Sequence, residues 1–215
     1  MPNCRSTFNR CLSIILLGCA LISLPVNAAG TGDAKKLYKQ ICASCHGDQA
    51  AGNDVVDSPA LAGQSAEYLK RQLINFSSGK RGANPEDKAG GQMIEMAKLL
   101  RTDEQQTNMA NYLSSLPPVQ ATPSEGNAAN GFKYYQACGS CHGAKAQGNE
   151  ALHTPRLAGL SADYLIRQHQ NFIIGFRGSH KDDLYGRQMA MMAGTMTDQK
   201  ILTDVIAYIT SLNDE

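Results

Sequence analysis

Apolar residues along the chain recur at helical spacing and never with the period of two that a half-buried strand requires. Leu37 and Ile41 lie four apart, and a helix is predicted from about Asp33 into Cys42-Ala43-Ser44-Cys45-His46. Leu69, Leu73 and Phe76 mark a second helix after Ser65, with Gly79 as its stop. A further helix begins near Thr102, where Gln105 completes a capping box, and ends at Pro117. The same succession follows in the second half. One helix starts near Asn127 with Phe132 and Tyr135 inward, and one follows Ser161. The last begins near Thr197 and carries Ile201, Val205, Ile206 and Ile209. Asp33, Ser65, Asn127 and Ser161 are the expected N-caps. The fold class expected is all-α.

The recurrence is an internal repeat. A shift of 96 positions aligns residues 33–116 with 129–212 without a gap and gives 35 identities in 84 positions. Pro59-x-Leu61-Ala62-Gly63 falls on Pro155-x-Leu157-Ala158-Gly159, and Tyr68-Leu69-x-Arg71-Gln72 on Tyr164-Leu165-x-Arg167-Gln168. Asn75-Phe76 and Gly79-x-Arg81-Gly82 recur as Asn171-Phe172 and Gly175-x-Arg177-Gly178. Two copies of one domain are expected, at 29–119 and 120–215. They are joined by the proline-rich, extended stretch 117–124.

Residues 1–28 have the pattern of a cleavable export signal: Arg5 and Arg10, the apolar run Cys11–Leu24, Pro25, then Val26-Asn27-Ala28. Cleavage is expected after Ala28. Leu16-Leu17-Gly18-Cys19 also resembles a lipoprotein box, but cutting there would halve the apolar run. The leader holds two of the 20 Lys and Arg, so 18 remain against 19 Asp and Glu. A near-neutral chain of this kind is not a polybasic nucleic-acid binder.

The leader also holds three of the seven cysteines: Cys4, Cys11 and Cys19. The remaining four are Cys42, Cys45, Cys138 and Cys141, all within two copies of C-x-x-C-H that end at His46 and His142. This is the attachment signature of a c-type haem. Two thiols one turn apart can each bond one vinyl group of the same porphyrin, and the following imidazole supplies an axial nitrogen. A zinc site wants two C-x-x-C pairs roughly 15–20 residues apart. A dithiol redox pair wants a strand–helix setting. With every cysteine used in this way no disulfide remains, and a covalent porphyrin replaces it as the staple of a small exported domain.

An iron held by histidine on one side needs an account of the other. A ligand serving equivalent sites should recur at offset 96. The first domain has one histidine, His46, so it cannot use two of its own. His153, His169 and His180 align with Asp57, Leu73 and Asn84 and are expected to be surface or packing residues. Met93 recurs as Met189, and Met96 as Met192. The thioether is a soft ligand suited to haem iron. Met93 and Met189 follow Gly90-Gly91-Gln92 and Gly186-Arg187-Gln188, stretches expected to form a loop that carries a side chain over the haem face. They are the expected sixth ligands, with Met96 and Met192 next; Met109, Met191 and Met196 are expected in the core. A carbonyl near Pro59 or Pro155 is placed to accept the proton of the ligating imidazole. Arg81 and Arg177 suit haem propionates, with Tyr68, Tyr164, Gln72 and Gln168 as weaker candidates for that role.

With these motifs in this order over the whole mature chain, the sequence resembles the cytochrome c4 family. The resemblance implies two tandem class I cytochrome c domains related by a pseudo-twofold, each around one covalent haem c with His/Met ligation. It implies a periplasmic electron carrier, soluble or loosely held at the inner membrane. Electrons would pass from a quinol-oxidising cytochrome bc complex towards terminal oxidases. It also puts the axial methionines at Met93 and Met189. The alternatives are a haem subunit of a larger dehydrogenase or reductase complex, and a dihaem peroxidase. The near symmetry of the halves argues against the peroxidase's division of labour between haems.

Overall fold

The computed structural model describes residues 28–212. The expected leader lies outside the described residues, apart from Ala28. The first half contains α1 (Ala28–Ile41), α2 (Ala43–His46), α3 (Ala66–Ser77), α4 (Lys88–Lys98) and α5 (Asp103–Ser115). The second contains α6 (Ala128–His142), α7 (Ala162–Ile173), α8 (Leu184–Ala193) and α9 (Gln199–Ser211). A short 3₁₀ turn follows each C-x-x-C-H motif, at Asp54–Val56 and Glu150–Leu152. Among the described residues there are no strands; Asn53 with Ser58 and Asn149 with Thr154 form isolated bridges. No helix of the described residues is long and apolar enough to cross a membrane.

The caps explain most of the helix starts. The Ser65 and Ser161 side chains accept from the amides of Tyr68 and Tyr164, and Asn127 accepts from Asn130. Thr102 and Gln105 form the reciprocal capping box. Two starts differ from expectation. α1 begins at Ala28, so Asp33 lies inside the helix and caps nothing. α9 is capped by Asp198, whose carboxylate accepts from Lys200 and Ile201, and not by Thr197. Asp198 is also the position that pairs with Thr102 at offset 96.

Each domain closes its first helix against its last, α1 on α5 and α6 on α9, with α3 packed on α5 and α4, and α7 on α9 and α8. The first core gathers Tyr38, Leu69, Leu100, Met109 and Leu113. The second gathers Tyr135, Val205 and Ile209. Phe132, expected inward, is half exposed and meets Tyr208 edge-on at 5.4 Å between ring centroids. Met191 is 68% exposed and is not a core residue.

The repeat is not gap-free in three dimensions. The phenol of Tyr38 donates to the Gly47 carbonyl at 2.7 Å, and Tyr135 donates to the Gly143 carbonyl at 2.7 Å. Both rings are fully buried, whereas Tyr134, which offset 96 pairs with Tyr38, is exposed. The first half therefore carries one extra residue between the tyrosine and the motif. It is absorbed as a bend at Cys42 (φ −112°, ψ −37°) that separates α1 from α2. α6 runs through the same region unbroken.

Gly90 and Gly91 lie in the first turn of α4, behind the Asp87 cap, and not in a loop. A Cβ on Gly90 would strike the Asp87 carboxylate and the Gly82 backbone, whereas one on Gly91 meets open space. Gly91→Ala is therefore expected to hold or raise stability, by up to about 1 kcal/mol. Gly90→Ala should cost about 1–3 kcal/mol. Denaturant melts of the two variants check this, and equal costs would contradict a helix that starts ahead of both.

Candidate haem sites and the seam between them

In both domains a buried alanine in the left-handed region anchors the loop beneath the motif. Ala50 (φ 55°) and Ala146 (φ 53°) are fully buried. The carbonyl of Ala50 accepts from the amides of Leu61 and Ala62, and that of Ala146 from Leu157 and Ala158. These bonds tie the P-x-L-A-G loop beneath the C-x-x-C-H helix. Gly52 (φ 87°) and Gly148 (φ 84°) then let the loop close, because a Cβ there would meet the Pro59 or Pro155 carbonyl carbon at 3.0 or 2.9 Å. Both pairs recur at offset 96, which is the signal that would have found them.

The closed loop delivers one specific group. His46 Nδ1 lies 2.9 Å from the Pro59 carbonyl oxygen, and His142 Nδ1 lies 2.9 Å from that of Pro155. A carbonyl only accepts, so Nδ1 carries the proton and Nε2 keeps its lone pair. Both imidazoles are buried. Burial lowers each pKa, against an opposing pull from the carbonyl bond, and at His142 the Arg177 charge lowers it further. Each ring is thus a neutral, oriented nitrogen donor.

The four thiols form no disulfide. Burial, with a smaller push from Cys45, raises the Cys42 pKa to about 12. Cys138 is raised chiefly by burial. Such thiols are the opposite of a dithiol oxidoreductase's activated thiolate, and they remain available for covalent attachment. Met93 and Met189 sit on α4 and α8 and are both half-buried, as is Met96; Met192 is 47% exposed.

Between the domains the arginines cross. Arg81 and Arg177 are 7% and 8% exposed. Arg81 donates to Gln72 of its own domain at 2.7 Å, and to Tyr164 and Gln168 of the other at 3.2 and 2.7 Å. Arg177 mirrors it, donating to Gln168 at 2.9 Å, Tyr68 at 2.8 Å and Gln72 at 3.4 Å. Each guanidinium also stacks on its own domain's phenylalanine, Phe76 or Phe172, at 4.5 Å. Among the described residues neither forms an ion pair with a carboxylate. The Tyr164 phenol shows the imbalance. Burial alone would raise its pKa, yet the charges of Arg81 and Arg177 and the bond from Arg81 hold it below the ordinary value.

Outer contacts hold the same seam. Arg71 donates to the His153 carbonyl and Arg167 to the Asp57 carbonyl, each at 2.6 Å. Glu67 pairs with both Arg71 and His153. Gln64 makes a two-point clasp, donating to the Arg156 carbonyl and accepting from the Arg156 amide, each at 2.9 Å. Leu160 stands at the equivalent place in the second domain, so no repeat pointed to Gln64. Two open clefts of about 370 and 350 Å³ also run along the seam, and neither is lined by a C-x-x-C-H residue.

The profile of the cytochrome c family, described as "Cytochrome c", matches residues 32–117 and 128–213. The chain is 32% identical to cytochrome c4 of Thiocapsa roseopersicina, over 85% of this chain and 91% of that protein. The chain belongs to the dihaem cytochrome c4 family. A crystal structure of reduced recombinant cytochrome c4 from Pseudomonas stutzeri superposes with a TM-score of 0.65 at 27% identity, covering 86% of this chain and 97% of that one. The chain is also 31% identical to a thiosulfate dehydrogenase electron acceptor of Stutzerimonas stutzeri, over 86% of this chain and 89% of that protein. As a cytochrome c4 it is an electron-transfer protein carrying two covalently bound haem c groups, one at Cys42 and Cys45 and one at Cys138 and Cys141. The residues present fit that load: unpaired thiols, neutral imidazoles fixed through Nδ1, and two buried guanidinium groups that form no ion pair with a carboxylate among the described residues.

Replacing Gln64 by Ala removes both hydrogen bonds of the clasp to the Arg156 backbone across the seam. The cost expected is about 1–3 kcal/mol, visible as a lower melting midpoint of the holoprotein. An unchanged midpoint would show that the clasp contributes nothing.

Proposed function

We propose that His46 with Met93, and His142 with Met189, are the axial pairs of two saturated haem irons, and that the protein shuttles single electrons without turning over a substrate. The observation that carries this reading is the duplicated bond from His Nδ1 to the proline carbonyl. It fixes the tautomer that presents Nε2 to a metal and raises the basicity of the ring. Half-burial of both Met93 and Met189 supports them over Met192. The haem iron supplies the one-electron couple, and a His/Met pair leaves no open coordination site and raises the potential.

The remaining residues serve binding and orientation. The carbonyls of Pro59 and Pro155 hold the imidazoles. Arg81 and Arg177 take haem propionates, which supply the ion-pair partners these two guanidinium groups lack among the described residues; Tyr68, Tyr164, Gln72 and Gln168 fill the other donor and acceptor positions. A propionate from each side would bring both cofactors to one polar network, so that electron transfer between them stays within the molecule. The setting proposed is the periplasm, reached through a leader cut after Ala28, with domains at 29–119 and 120–215. The donor is a cytochrome bc complex and the acceptor a terminal oxidase.

A second reading is service to a dehydrogenase, favoured by the similarity to the thiosulfate dehydrogenase electron acceptor. Size-exclusion and pull-down of the native holoprotein separate the two: a stable 1:1 complex with a dehydrogenase favours the second, and a free carrier the first.

The ligand assignment predicts two haems per chain, low-spin in the ferric state, with the weak far-red band of iron–methionine ligation. Met93→Ala and Met189→Ala should each remove half of that band. Loss from Met96→Ala or Met192→Ala instead would move the ligand to those residues.

A further inference from the structure

His169, half-buried on α7, is a departure from the repeat that replaces an apolar residue with an imidazole. It stands in α7 where the first domain has Leu73 in α3, and Leu73 packs on the first core. Both ring nitrogens of His169 are buried, and neither has a hydrogen-bond partner. Two buried ring nitrogens left unsatisfied are costly, and native proteins rarely leave such a pair without a use. Burial alone lowers its pKa.

Its neighbours narrow the use. α7 packs on α8, which carries Met189, and on α9. On α7, His169 shares a helical face with Leu165, four residues before, and Phe172, three after; Leu165 packs on the second core and Phe172 is buried. The other two histidines outside the C-x-x-C-H motifs are already engaged. His153 pairs with Glu67 across the seam, and His180 accepts from the Asp182 amide.

From the unpartnered imidazole of His169, half-buried on the helix packed against the one that carries Met189, where the other domain has leucine, we propose that it is a reserve nitrogen ligand for the second haem only, taking the sixth position when the Met189 thioether is displaced. The exchange breaks one iron–sulfur bond and forms one iron–nitrogen bond, and no electron leaves the iron. It would make the two irons inequivalent: the first falls back to an open site, the second to a bis-histidine site of lower potential. This rests on Met93 and Met189 being the resting ligands.

The test compares ferric holoprotein in three variants by electron paramagnetic resonance and far-red absorption: Met93→Ala, Met189→Ala, and Met189→Ala with His169→Leu. The second change restores the residue that the first repeat already uses, which guards the fold. Met93→Ala should turn half of the haem high-spin. Met189→Ala should lose half of the far-red band yet stay low-spin, with the signature of two nitrogen ligands. The double variant should return to half high-spin. A high-spin fraction in Met189→Ala equal to that in Met93→Ala would overturn the proposal, as would a low-spin double variant. A far-red band left whole in both single variants would instead overturn the methionine assignment, and the proposal with it.

Discussion

Two guanidinium groups are buried at the seam between the domains, and among the described residues neither is in ion-pair contact with a carboxylate. Arg81 and Arg177 are each clamped by a glutamine of their own domain and by a tyrosine and a glutamine of the other. Burying a charge is costly unless it is paired, and the Asp87 carboxylate is only a minor charge on Arg81, so the seam is suited to further anions. In the function proposed above, haem carboxylates would meet that need, and the residues that would bind them also join the domains. Cofactor binding and domain docking would then be one event.

The clamps depend on backbone placement. The amides of Arg81 and Arg177 donate to the carbonyls of Asn75 and Asn171 at 3.0 Å, just after α3 and α7 end. Gly82 and Gly178 follow directly, each with a backbone that passes too close to Gly90 or Gly186 for a side chain. The backbone beside the guanidinium is thereby tied to the start of the methionine-bearing helix, while the proline carbonyl holds the imidazole. Both the arginines and the histidines are thus placed by main-chain groups, which a side-chain substitution cannot easily remove.

Much of this was legible in the sequence because duplication makes every shared constraint appear twice. The C-x-x-C-H motifs, the P-x-L-A-G loops, the arginines and the helix caps at Ser65 and Ser161 all recur at offset 96. What the sequence hid is what the halves do not share or what depends on three-dimensional register. The extra residue near Cys42 left Tyr38 aligned with the wrong tyrosine, since the gap-free match around the motif outweighed a slip before it. The glycines at 90 and 91 suggested a loop, but a strong Asp87 cap and open space beside Gly91 let the helix start early. Gln64 and His169 have no counterpart, and a repeat argument sets such residues aside.

The central claim is that buried arginine charge at the seam acts on both haems. Potentiometric titration of the holoprotein, wild type against Arg81→Gln with Arg177→Gln, tests it most directly. Removing a cation beside a haem favours the more positive ferric form, so both midpoint potentials should fall. Potentials unchanged in a variant that retains two haems and a low-spin spectrum would contradict the account.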